Sequence, residues 1–144
     1  MIVLMDEDLS SPTLAASLNL LSGAYDCTFR TLPHHAEGLA DADLPAVCLA
    51  EGAVALLTHD KSDFGAEIAV QQAVVAAGVS VVMLRLPNAR TQRPDVNFLT
   101  SRITQHLSDI VGALEKATGS LLIAVRKDKV TPRDLRELLE ERLA

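Results

Sequence analysis

Residues 2–8 read Ile-Val-Leu-Met-Asp-Glu-Asp, a run of four apolar residues followed by three acids. A continuous apolar run of this length is typical of a strand that is buried on both faces of a parallel sheet. Similar runs follow at residues 53–57, 80–86 and 121–125, and residues 25–32 alternate loosely as a further strand. The sequence therefore predicts five strands, the first of which ends directly before acidic residues.

Segments with helical spacing of apolar residues separate these strands. Pro12 stands in the first turn of a helix that ends at Gly23, and further helices are predicted from about residue 43 to 51, at 66–77 and at 96–117. Thr131-Pro132 is interpreted as the start of a charged terminal helix. Alternation of strands and helices predicts an α/β protein, a three-layer α/β/α fold with a mainly parallel central sheet, formed by one domain over residues 1–144.

Composition excludes several classes of function. Hydrophobic residues make up 49% of the chain and charged residues 22%, which is typical of a globular domain. Aromatic residues are 3%, too few for the base-stacking platforms of many RNA-binding folds. No apolar run is long enough to cross a membrane, and the first residues lack the features of a signal peptide. Cys27 and Cys48 have no CxxC spacing, so we expect buried free thiols in a cytoplasmic protein.

Charge is distributed unevenly along the chain. Residues 1–80 carry 2 basic and 11 acidic side chains, a net charge of −9, whereas residues 81–144 carry 11 basic and 8 acidic side chains, a net charge of +3. This asymmetry suggests an acidic site in one part of the chain and an anion-facing surface in the other, although solvated charges alone would also account for it.

The acids that follow the strands indicate a metal site. Asp6 follows the first strand and Asp60 the third, with Asp63 close behind. Since the carboxyl ends of parallel strands meet at one edge of a sheet, these carboxylates are expected to converge there. Mg²⁺ or Mn²⁺ would neutralise their repulsion, because both ions prefer oxygen ligands.

Three further residues have two interpretations each. Asp41 and Asp43 precede the second helix, so either of them caps this helix or reaches the acidic cluster. Thr58 either donates a hydrogen bond to a carboxylate or satisfies the backbone at the end of its strand.

Two motifs resemble those of a known family. The stretch Ile2 to Ser10 is similar to the opening of a small bacterial PIN-like family that is related to VapC-type toxins and to the Mut-seven C-terminal domain. The stretch Ala55 to Gly65 resembles the family's Thr-x-Asp-x-Asp-Phe signature, with one extra residue between Asp60 and Asp63. The resemblance spans about residues 1–126.

The resemblance implies a PIN fold and metal-assisted hydrolysis of RNA phosphodiesters. Asp6, Asp60 and Asp63 would be the catalytic and metal-binding carboxylates, and Asp41 or Asp43 would supply an additional acid. It also implies a cytoplasmic toxin with a cognate antitoxin protein, and a homodimer.

Other functions remain open from the sequence. A PIN-like module without catalysis would keep the fold alone. A response-regulator receiver would need a hydroxyl residue at the end of the fourth strand and a lysine after the fifth, where the chain has Leu84-Arg85-Leu86 and Lys127. A phosphatase of the haloacid-dehalogenase type would use Asp6 and Asp8 but is normally longer.

An RNA-binding surface is predicted next to the acids. Arg90 and Arg93 lie in the loop after the fourth strand, which leaves the same sheet edge as Asp6, and Arg85 ends that strand. Arg90 and Arg93, together with Thr58, are the expected substrate-binding residues. Three cations after the fifth strand would extend the surface: Arg126, Lys127 and Lys129.

Overall fold

The computed structural model describes residues 1–59, 62–86 and 95–144. Over these residues the strands form one sheet in the order β2-β1-β3-β4-β5-β6, parallel from β2 to β5, with β6 antiparallel to β5. The strands are β1 (Ile2–Met5), β2 (Thr28–Thr31), β3 (Ala55–His59), β4 (Ser80–Leu84), β5 (Leu121–Val125) and β6 (Val130–Asp134).

Helices cover both faces of the sheet, so the predicted three-layer α/β/α architecture with a mainly parallel sheet is confirmed. The helices are α1 (Pro12–Ser22), α2 (Leu44–Ala50), α3 (Ser62–Ala66), α4 (Ile68–Ala77), α5 (Val96–Gln105), α6 (Leu107–Lys116) and α7 (Leu135–Leu143). Among the described residues, none of these helices has both the length and the apolar character that a membrane crossing requires.

Alternate residues of the strands enter two separate cores. On one face, side chains such as Met5 and Leu57 pack against α1, α5 and α6. On the other, side chains such as Leu4 and Leu56 pack with residues of α2, α4 and α7. Burial on both faces explains why β1, β3, β4 and β5 have continuous apolar sequences. Cys27 and Cys48 are buried free thiols, as predicted.

The terminal helix predicted at Thr131-Pro132 starts later than expected. Residues Val130–Asp134 instead form β6, which pairs with β5 through a hairpin, and α7 begins at Leu135. Asp134, not Thr131, caps this helix, because its carboxylate accepts a hydrogen bond from the Glu137 backbone N–H at 3.0 Å. These residues form a strand because they can pair with the edge of β5, a tertiary interaction that local helix propensity does not take into account.

The long helix predicted at residues 96–117 is also interrupted. His106 leaves helical geometry, with φ −110° and ψ 9°, and separates α5 from α6. Its ring Nε2 lies 2.9 Å from the Lys127 carbonyl oxygen after β5, so this buried side chain fixes the break against the sheet. Both halves still direct apolar residues into the same core, including Ile103 and Leu107.

At each outer edge of the sheet, one residue reduces the number of backbone groups that are free to pair with another strand. Asn19 occupies such groups on β2, and Pro132 lacks an N–H on β6. At β2, the Asn19 side chain accepts from the Phe29 N–H at 2.8 Å and donates to the Phe29 carbonyl at 2.9 Å. At β6, Pro132 stands opposite Ile123. The Arg126 N–H donates to the Lys129 carbonyl at 2.9 Å, and the alternation of an antiparallel ladder then directs the Pro132 nitrogen outwards.

Candidate functional site

The strand order reverses direction between β1 and β3. From β1 the chain first goes outwards to β2, then returns to β3 on the other side and continues to β4 and β5. In doubly wound sheets, ligands bind in the crevice at the carboxyl ends of the strands where this reversal occurs. Asp6 directly follows β1 at this point, and Thr58 and His59 end β3 beside it. The third strand begins and ends two residues later than predicted, which brings Thr58 and His59 into the sheet.

Asp6 is fixed in the interior by hydrogen bonds. The residue is only 1% exposed. Thr58 Oγ1 donates to Asp6 Oδ2 at 2.8 Å, and the Glu7 backbone N–H donates to Asp6 Oδ1 at 2.7 Å. A buried carboxylate is tolerated only when it is well hydrogen-bonded, and bonds to a charged acceptor are the stronger kind. Of the two sequence interpretations of Thr58, the structure therefore shows the bond to a carboxylate.

The charge of Asp6 affects a thiol on α2. Burial, with a contribution from the nearby negative charge of Asp6, raises the pKa of Cys48 to about 12 from an ordinary 9.0. The thiol is therefore protonated at neutral pH and is a poor nucleophile. Cys48 is fully buried in the core that also contains Leu4 and Leu56.

The two acids after Asp6 point elsewhere, as expected for adjacent side chains. Glu7 is exposed and its Oε2 accepts from the Gly38 N–H at 3.2 Å. Asp8 Oδ2 lies 3.9 Å from His59 Nε2. The His59 side chain is 19% exposed, and its Nδ1 is buried without a hydrogen-bond partner in the described part of the chain. The contact between Asp8 and His59 thus links the ends of β1 and β3 a second time, beside the bond between Asp6 and Thr58.

Asp41 and Asp43 lie in a 3-10 turn before α2, and Asp43 does not cap that helix through its side chain. Asp41 contributes its backbone carbonyl, which accepts from the Leu44 N–H. Capping by the Asp43 side chain was therefore a wrong expectation. The turn supplies a backbone acceptor for the Leu44 N–H, and Pro45 at the next position has no N–H that a capping carboxylate could accept from.

Several predicted site residues lie outside the described residues: Asp60, Arg90 and Arg93. For Asp63 the description covers only its place in the backbone of α3. Within the described residues, no group of three or more His, Cys, Asp or Glu side chains has a metal-binding arrangement. Asp6 and Thr58 are the predicted site residues that the structure brings into contact.

A receiver requires a hydroxyl residue at the end of β4. This strand ends with Met83-Leu84, which Arg85 and Leu86 follow, so no hydroxyl stands there. Arg85, Arg126 and Lys129 are all exposed after the carboxyl ends of β4 and β5. No protein family, curated protein or solved structure matches this chain.

Proposed function

We propose that the chain is a PIN-like, metal-dependent ribonuclease that hydrolyses RNA phosphodiesters, the toxin of a cytoplasmic toxin–antitoxin pair. The observation that carries this proposal is the position of Asp6. It is a buried carboxylate, fixed by Thr58, at the switch point of a parallel sheet, and in the sequence Asp60 directly follows the neighbouring strand β3. An enzyme of this type needs an anionic ligand in a fixed position at that point.

The Asp6 carboxylate, which bonds from Thr58 and Glu7 hold through both oxygens, would be the first of a set of oxygen ligands for a hard divalent cation. Oxygen ligands of this kind suit Mg²⁺ or Mn²⁺. Asp60, Asp63 and either Asp41 or Asp43 would complete the set. When bound, the cation activates water for attack and neutralises charge on the scissile phosphate.

The residues of this chain would then contribute positioning. The Thr58 hydroxyl holds one oxygen of Asp6 and the Glu7 N–H holds the other, so the carboxylate plane is set before any ligand arrives. Preorganisation of this kind reduces the rearrangement needed for the reaction.

The proposal is tested by exchanging single carboxylates for amides. We expect Asp6→Asn and Asp60→Asn each to weaken Mn²⁺ binding by at least about 10-fold in calorimetry and to lower cleavage of single-stranded RNA at least as much. Asp26→Asn is the matched control, because Asp26 precedes β2 at the opposite edge of the sheet and its φ of 52° suits asparagine. Parental Mn²⁺ affinity in both site variants would refute the metal site.

A receiver is the second candidate, because the order β2-β1-β3-β4-β5 is the flavodoxin-like order, which receivers share. Phosphorylation of Asp60 by acetyl phosphate would favour it over the ribonuclease. Mn²⁺ binding without RNA cleavage would instead favour an inert PIN-like module.

A further inference from the structure

A cleft of about 450 Å³ lies beside α3, between the β4–β6 part of the sheet and α7. Its floor is apolar or small, with Met83, Leu122 and Ala124 from the strands and Leu138 from α7. Its charged lining residues all have the same sign: Arg85, Arg126, Lys129, Arg133 and Arg142. We call this feature the basic cleft.

Acids are absent from the lining of the basic cleft among the residues that the structure describes. Asp128 and Asp134 belong to the same hairpin and its end, yet neither lines the cleft, and Asp134 is engaged as the cap of α7. Within the described residues, Arg126, Lys129 and Arg133 have no carboxylate within ion-pair distance. Like charges in a cleft create a positive potential that attracts anions.

The cations extend along the hairpin rather than around one point. Lys129 directly before β6 and Thr131 and Arg133 on β6 occupy alternate positions, and all three line the cleft. Arg133 stands opposite Leu122, and Arg126 follows four residues later on the neighbouring strand. At 3.3 Å per residue this separation is about 13 Å. One phosphate cannot contact both ends, whereas successive phosphates of a strand can.

The basic cleft also faces the same way as Asp6. Thr58 pairs with Met83, Met83 with Ala124 and Ala124 with Thr131, so these residues form a row across one face of the sheet. Asp6, which bonds Thr58, lies at one end of this row, and the cleft occupies the other. Two strand spacings, about 10 Å, separate Thr58 from Ala124. A ligand that follows the row joins the two regions.

We infer that the basic cleft binds the sugar-phosphate backbone of a single-stranded nucleic acid and directs it towards Asp6. The inference rests on the proposed ribonuclease function, from which RNA is the strand expected. No aromatic side chain lines the cleft among the described residues, so bases are not stacked there. Recognition through phosphates predicts binding that is strongly salt-dependent and nearly indifferent to sequence.

The test compares two double variants with the same change in charge. Lys129→Ala/Arg133→Ala removes one lysine and one arginine from the cleft, and Arg30→Ala/Lys116→Ala removes the same pair from exposed positions on β2 and α6. Binding of a labelled single-stranded RNA is followed by fluorescence anisotropy over a range of salt concentrations, in EDTA, so that no divalent cation is needed. Since each contact contributes about 0.7 to the log–log slope, the cleft variant should flatten it by about 1.4 and the control should not.

The outcomes separate this inference from the proposed function. An unchanged slope in the cleft variant, or an equal change in the control, would overturn it. Full competition by inorganic pyrophosphate at equal phosphate concentration would also overturn it, since the cleft would then be a pocket for small anions. Asp6→Asn should bind RNA with the parental slope, so that loss of cleavage with intact binding would count against the metal site alone.

Discussion

At one end of the carboxyl edge, Asp6 is buried and accepts hydrogen bonds from Thr58 and Glu7. On the β6 side of the sheet, Lys129 and Arg133 are exposed and line an open cleft without an acidic partner in the described residues. The difference follows from solvation. A buried charge must obtain its partners when the chain folds, whereas water stabilises an exposed charge until a ligand replaces it.

This contrast has an energetic consequence. Changes around Asp6 should affect the free energy of unfolding, because they remove contacts that are already made in the folded protein. Changes in the basic cleft should affect ligand binding with little effect on folding, since exposed substitutions usually alter stability by no more than about 0.5 kcal/mol.

The largest effect is expected at alkaline pH from Cys48. Its folded-state pKa of about 12 exceeds the ordinary 9.0, so the protonated thiol favours the folded state. This stability is fully present below pH 9 and is lost as the pH rises towards 12, by at most about 4 kcal/mol. We expect Cys48→Ala to flatten the pH dependence in urea unfolding between about pH 8 and about pH 11.

Cys27→Ala is the matched control for this measurement. Burial is also the main cause that raises the pKa of Cys27, but the positive charge of the N-terminus opposes the increase there. A smaller flattening is therefore expected. Identical alkaline slopes for Cys48→Ala and the parent would show that the charge of Asp6 and the burial of the thiol do not act on stability as the geometry indicates.

The next effect concerns the hydroxyl that holds Asp6. Thr58→Val removes a donor to a buried carboxylate and should lower the free energy of unfolding by about 2 kcal/mol. Thr100→Val is the matched substitution, because the Thr100 hydroxyl donates to the neutral Ser17 hydroxyl at 3.1 Å, and it should cost about 1 kcal/mol. Denaturant titrations of both variants decide the point, and equal losses would mean that the charge of Asp6 adds nothing to its bond with Thr58.

The smallest change in stability is expected at Arg142, which differs from the other cations of the basic cleft because it already makes hydrogen bonds in the folded protein. Arg142 donates to the carbonyl oxygens of Gly65 and Ala66 and to Gln71 Oε1, so it ties α7 to the α3–α4 region. Arg142→Lys keeps the charge but loses the planar fork, and should destabilise the protein by about 1 kcal/mol. The salt slope of RNA binding should remain close to parental. If the variant were as stable as the parent, the hydrogen bonds of Arg142 would contribute nothing to stability, and its role would be ligand binding, as for the other cleft cations.

The sequence predicted the parts of the fold that depend on local pattern. Apolar runs located the parallel strands, and Pro12 and Gly23 located α1. For Thr58 the sequence left two roles open, and the structure shows the bond to a carboxylate, that of Asp6. The prediction of a helix from Thr131-Pro132 was wrong, because this pair of residues is compatible with an edge strand as well as with the start of a helix. The alternation of Lys129, Thr131 and Arg133 with less polar residues was the period-two signal that favoured a strand.

Other features depend on residues far apart in the chain. The role of Arg142 requires carbonyls that are 76 and 77 positions away, and no local pattern contains that information. The break at His106 similarly depends on the Lys127 carbonyl, which becomes a neighbour only after β5 has joined the sheet. The predicted roles of Asp60, Asp63, Arg90 and Arg93 stay predictions.

The occupied edges of the sheet limit how copies of this chain can assemble. A second molecule that extended the sheet at β6 would meet Pro132 where its own carbonyl needs a donor, and at β2 it would have to displace the Asn19 amide from Phe29. Both edges therefore oppose strand addition, the usual route from a native sheet to open-ended polymers. A homodimer of this protein would have to form through its helical faces. Its sheet would then not be extended from one molecule to the next.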